Sequence, residues 1–157
     1  MPRLLTSVVA LVGLATTAAS SPAGCTVENI NAAFSADNKA EAISAVYVPN
    51  NGTYGQEGDI AYPLYAYNLP ALCAVMVNAT SSATTSYTFG LLLPDEWNNR
   101  TLTVGNGGFV GGINWAEMGN GVKYGFTAIS TNTGHNSTGI NMEWAVGNEE
   151  SKTDWAY

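Results

Sequence analysis

The stretch Leu102 to Trp115, LTVGNGGFVGGINW, decides how this chain is read. A short apolar run, Leu102 to Val104, meets a loop with five glycines among residues 105–112, and a turn then leads into a helix-like segment. Glycine at such density means that something approaches the backbone closely or that the backbone takes angles other residues avoid. Two nucleotide-binding patterns fail. A dinucleotide fingerprint begun at Gly105 is satisfied at Gly107 but needs a third glycine where Val110 stands, and a P-loop begun at Gly107 reaches Gly112 but has Ile113 in place of lysine. A third use remains, in which a glycine-rich loop after the third strand of an α/β-type hydrolase offers backbone N–H groups to an ester oxyanion. A tight turn that packs helix on strand explains the same composition, and both readings stand at this point.

Working outward, Trp115 to Tyr124 is predicted as a helix stopped by Gly125, and Phe126 to Ser130 as a buried strand. Strand, helix, strand predicts a parallel pair with Leu102 to Val104. Upstream, Ile43 to Val48 is β-branched, Cys73 to Val77 is apolar, and Tyr87, Phe89, Leu91 and Leu93 alternate on one face until Pro94. The stretch PDEWNNR reads as a turn, and TSSATTS, Thr80 to Ser86, as an exposed loop. Downstream, GNEESKTDWAY opens with acids suited to a helix N-terminus, sets Trp155 on an inner face, and stops within that helix, which is the expectation for a truncated chain.

The 157 residues are 46% hydrophobic and 11% charged, the composition of one globular domain. Twelve acidic residues against five basic ones, a formal charge of −7, argue against a nucleic-acid partner and give little attraction to anionic membranes. Residues 1–20 carry Arg3, an apolar run from Leu4 to Leu14 and a small-residue end, the pattern of a secretory signal peptide; the run is too short to span a bilayer. Its removal would leave four basic residues and a charge of −8 over residues 21–157. An oxidising compartment makes Cys25 and Cys73, the two cysteines, candidates for one disulfide. Four sequons, at Asn51, Asn78, Asn99 and Asn136, fit a secreted glycoprotein. No His/Cys cluster has zinc spacing and no acidic loop has an EF-hand pattern, so neither metal nor cofactor is expected.

Three pieces, LLLPDEWNNRTLTVGNGGFVGGINWAEM, GFTAISTNTGHNS and WAVGNEESKTDWAY, resemble the N-terminal part of the fungal tannase and feruloyl esterase family, secreted serine esterases with an α/β-hydrolase core. The resemblance covers Cys25 to Tyr157 and is most specific at Trp97-Asn98, at Gly105 to Phe109 with Gly111-Gly112, and at Thr131 to His135. It implies an incomplete α/β-hydrolase core, the first strands and helices of the sheet, ending before the nucleophile. It implies acyl transfer on plant phenolic esters through a Ser-His-Asp triad that lies beyond this chain, with Gly107 and Gly108 as oxyanion-hole backbone. No Gly-x-Ser-x-Gly occurs, and Ser130 and Ser137 lack such a turn. His135, the single histidine, matches a Gly-His after the fourth strand, a loop-organising position rather than the base. The family usually has Asp where Asn132 stands. Glu117, Glu149, Glu150 and Asp154 are read as solvated helix residues. The competing function is a non-catalytic secreted glycoprotein that binds sugars or aromatics through exposed Trp and Tyr. Neither the preferred ester nor the oligomeric state is legible.

Overall fold

The computed structural model describes residues 24–34 and 39–156, so the signal-peptide segment, residues 1–20, lies outside the described residues. A five-stranded mixed sheet, ordered β1-β4-β5-β7-β6, forms the frame. Its strands are β1 (Ala40–Val48), β4 (Leu72–Thr80), β5 (Ser86–Pro94), β6 (Thr101–Thr103) and β7 (Thr127–Thr131). The β1/β4, β4/β5 and β5/β7 pairs are antiparallel, and β6 runs parallel to β7. The parallel pair is the one expected from the strand-helix-strand order. Its connection carries α2 (Trp115–Val122), because parallel neighbours need a crossover that a hairpin cannot supply. A separate hairpin, β2 (Gly52–Gly55) with β3 (Tyr65–Leu69), and a short helix α1 (Val27–Ala33) had no counterpart in the sequence reading.

Both faces of the sheet are covered, which explains the uninterrupted burial of Leu72 to Val77 in β4. Leu72, Ala74 and Met76 face one cluster with Leu69 of β3 and with Trp115, Met118 and Val122 of α2. Cys73, Val75 and Val77 face a second cluster with Ile30 and Phe34 of the α1 segment and Phe89, Leu91 and Leu93 of β5. Phe89, Leu91 and Leu93 of the alternation read in β5 therefore lie on the same face of the sheet as this second cluster. Thr26 caps α1 by accepting from the Asn29 N–H at 3.2 Å. Asn31, one turn on, accepts from the Ala42 N–H at 2.7 Å, beside the register shift between Ala42 and Ser44 in β1. Cys25 and Cys73 are bonded, with Cα atoms 5.5 Å apart, tying the start of α1 to β4.

After β7 the chain makes a loop, a single 3-10 turn (Glu143–Ala145) and α3 (Glu149–Ala156). Glu149 and Glu150 occupy the first turn of α3, as its acidic opening suggested. Trp155 is 36% exposed and lies against Trp144 and Phe109 rather than in the sheet's core. Among the described residues no helix is long and apolar enough to cross a membrane.

Candidate functional site

The glycine loop leaves the carboxyl end of β6 beside the carboxyl end of β7. Val104 still donates to the Ile129 carbonyl at 2.8 Å, and the loop then turns away. Asn106 anchors it by donating its Nδ2 to the Thr131 carbonyl at 2.9 Å, and Tyr62 donates its hydroxyl to Asn106 Oδ1 at 3.1 Å. The Gly107 N–H points at that same Tyr62 hydroxyl, at 3.4 Å. The Gly108 N–H has no hydrogen-bond partner among the described residues, and both glycines are exposed. The four central glycines differ in what they require. A β-carbon on Gly107 would meet nothing within 4 Å, whereas Gly108 has φ +61°, which a side chain rarely takes. At Gly111 a β-carbon would lie 2.4 Å from His135 Cδ2, and at Gly112 it would lie 2.6 Å from Asp59 Oδ2. The closest approaches are thus at the second glycine pair, while at the first a β-carbon on Gly108 would lie 3.2 Å from the Gly139 carbonyl and Gly107 stands open.

His135 closes over the loop from the other side. Its Nε2 lies 3.1 Å from the Phe109 carbonyl and donates to it in the tautomer protonated at that nitrogen, and Ser137 Oγ donates to the same oxygen at 2.8 Å. Gly111 and Ser137 exchange backbone hydrogen bonds at 3.0 and 3.1 Å. The imidazole stacks on Trp144 with centroids 3.7 Å apart and an interplanar angle of 17°. Phe109 in turn meets Trp155 at 5.4 Å, so loop, 3-10 turn and α3 share one aromatic cluster. Ser130 is buried and its Oγ accepts from the Asn114 N–H at 3.2 Å, a structural bond that holds the start of α2. Asn132 Oδ1 accepts from the Thr88 and Gly134 N–H groups at 2.8 and 3.0 Å.

Two clefts flank these residues. The larger, about 760 Å³, lies between β5, β7 and α3 and is lined by Phe89, Ile129, Thr131, Thr133, Asp154 and Trp155 among others. The smaller, about 210 Å³, is lined by Glu57, Asp59, Asn132, His135 and Asn136. No group of three or more His, Cys, Asp or Glu residues placed to hold a metal occurs among the described residues. At one wall of the larger cleft, the Ser82 and Thr84 hydroxyls hydrogen-bond Glu150 and hold its carboxyl below the usual range; Ser82 Oγ donates at 2.6 Å. Glu150 thus has hydroxyl partners, Glu149 pairs with Lys152, and Glu117 is exposed.

Residues 73–157, more than half of the chain, match the family model for tannase and feruloyl esterase. The chain belongs to the tannase and feruloyl esterase family. Among curated relatives, a probable feruloyl esterase B-1 of Aspergillus fumigatus is 35% identical over 85 residues, covering 54% of this chain and 16% of that protein. Feruloyl esterase C of Talaromyces stipitatus is 34% identical over 70 residues, covering 45% and 13%. The chain thus spans about a sixth of the length of the curated relatives that it matches. The crystal structure of feruloyl esterase B from Aspergillus oryzae superposes with a TM-score of 0.70 at 28% identity, over 88% of this chain and 26% of that one. An esterase from the same organism gives 0.72 at 20% identity, over 87% and 26%, a likeness of fold.

This tannase-family chain therefore carries the first part of an α/β-hydrolase sheet. The family match takes in β4 to α3, with the glycine loop, His135 and Trp144; α1 to β3 lie outside it, although the structural superposition extends over most of them. Tyr62 and Asp59, which reach Gly107 and Gly112, come from that upstream part and were missed from sequence. A Tyr or Asp in a loop between two short strands has no local feature that announces a partner some 50 residues away.

Proposed function

We propose that this chain supplies the oxyanion-binding side of a secreted carboxylic ester hydrolase acting on small plant phenolic esters. Gly107 and Gly108 are its oxyanion-hole backbone, and the Ser-His-Asp triad comes from parts of the whole protein outside this chain. The observation that carries the reading is the Gly107-Gly108 peptide, exposed at the carboxyl end of β6 with the Gly108 N–H unengaged among the described residues. An unpartnered donor on a braced loop is what a developing oxyanion needs, because the donor is in place before the charge appears. The family relatives named feruloyl esterase support the ester class. Residues 1–20 act as the signal peptide in this reading, and Asn51, Asn99 and Asn136, exposed in turns and loops, carry N-glycans more readily than half-buried Asn78 in β4.

Gly107→Val in the whole protein is the decisive variant. Gly108 has a positive φ, so any side chain there strains the fold, but Gly107 has open space and loses only the approach of a substrate carbonyl. The expected outcome is a folded protein whose kcat on methyl ferulate or a gallate ester falls about 10²-fold or more, the scale of one oxyanion donor. Unchanged kcat in the folded variant refutes the assignment.

A further inference from the structure

We propose that His135 is a positioning residue, which sets the glycine loop through its hydrogen bond to the Phe109 carbonyl and is itself set by the face of Trp144. This rests on the oxyanion reading of Gly107 and Gly108. The Phe109 carbonyl belongs to the Phe109–Val110 peptide, two peptide units beyond the one that carries the Gly108 N–H, so holding it anchors one end of the short segment whose φ and ψ angles at Gly108 and Phe109 set where that N–H points. Two donors reach the oxygen, His135 Nε2 at 3.1 Å and Ser137 Oγ at 2.8 Å, and together they occupy both of its lone pairs. The Gly111–Ser137 bridge pins the loop two residues farther on. With φ +61° at Gly108, the segment has left the sheet ladder, and besides its own Val110 N–H to Gly107 carbonyl turn at 3.4 Å it is shaped by such outside bonds.

The ring is held on two sides. Trp144 stacks on it at 3.7 Å, and the Gly111 backbone packs so close that a β-carbon there would sit 2.4 Å from Cδ2. Such a ring cannot swing to serve as a general base. Its Nε2 proton is committed to a backbone carbonyl, and the nearby hydroxyl of Ser137 donates to that carbonyl rather than to the ring. Gly111 and His135 are thereby matched. The missing side chain of one makes room for the imidazole of the other.

The test compares His135→Phe, which keeps a ring for Trp144 but removes the donor, with His135→Gln, whose amide restores a donor at the Nε2 position. In the whole protein His135→Phe is expected to lower kcat on the order of tenfold with KM within about twofold, and His135→Gln to recover most of the loss. The pH–rate profile keeps its shape in both. A thousandfold loss with one limb of the profile abolished makes His135 the base and overturns the proposal, as does His135→Gln no better than His135→Phe. Hydrogen exchange reads the hold without activity: the Phe109 and Gly111 amides should exchange about tenfold faster in His135→Phe while those of β4 stay unchanged. Unchanged exchange at the loop refutes the positioning role. If His135→Phe does not fold, Ser137→Ala removes the other donor and must speed the same two amides. A wild-type protein that turns over no ester defeats the oxyanion reading, whereas the exchange data still decide what His135 holds.

Discussion

At Asn132 the side chain uses one oxygen to collect two backbone N–H groups, Thr88 across the sheet and Gly134 in the turn that follows. Both bonds need an acceptor and neither needs the amide nitrogen. A carboxylate in this place would accept the same two bonds more strongly. Asn132→Asp should leave the fold intact and change stability by no more than about 1 kcal/mol at neutral pH, measured by chemical denaturation; a loss of several kcal/mol would contradict the acceptor role. Gly90 is the opposite kind of residue. A β-carbon in the middle of β5 would lie 2.4 Å from Trp115 Cη2, on the benzo edge of a side chain that is fully buried. Gly90→Ala therefore overpacks the α2 face, with an expected cost of about 3 kcal/mol seen as a lowered denaturation midpoint. The same buried ring leaves its Nε1 without a partner, so shape rather than hydrogen bonding holds Trp115 in place.

Among the elements, α3 is held by the least apolar means. Its burial is confined to Ser151, and it is moored at Glu150 to the β4–β5 turn and at Trp155 to the aromatic cluster. Hydrogen bonds from the Ser82 and Thr84 hydroxyls lower the Glu150 carboxyl below its ordinary value of 4.5. A carboxylate lowered by folding stabilises the folded form above its unfolded value and loses that contribution as pH falls through its folded value. The mooring is thus whole at neutral pH and releases on the acid side of 4.5. Amide signals of Ser82 to Thr85 should shift in that acid range in the native protein and stay flat in Glu150→Gln; an identical response in both would rule the carboxylate out. The helices also differ in legibility. The apolar positions of α2 recur at Trp115, Met118 and Val122 and mark a helix in the sequence, whereas α1 offers Ile30 and Phe34 to the core and otherwise polar residues.

On the scale of the molecule, β6 is the edge of the sheet and pairs with β7 alone. Three residues of parallel pairing leave a row of backbone groups open, a place where a further strand would add. Residues 24–156 expressed by themselves from a secreting host are expected to self-associate on size-exclusion chromatography and to turn over no methyl ferulate. A stable monomer with turnover would contradict both the open edge and the placement of the triad outside these residues. The Cys25–Cys73 bond closes a 48-residue span at the far side of the sheet. Replacing both cysteines by serine should lower stability by about 4 kcal/mol on the loop-closure estimate, checked by denaturation of the oxidised protein against the variant.

The sequence by itself determined the strands β4 and β5, the parallel β6/β7 pair around α2, the cysteine pair and the location of the glycine loop. Each of these is written in local order: a period of two or of 3.6, an apolar run, a stop at glycine or proline, an even count of one reactive residue. Only the tertiary structure decided that Asp59 and His135 fill the space Gly112 and Gly111 leave, and that Tyr62 meets the Gly107 N–H. Periodicity tells a residue which face it belongs to but never which distant segment will cover that face. The partners of a loop backbone are chosen by packing, and packing joins residues whose separation along the chain carries no pattern to read.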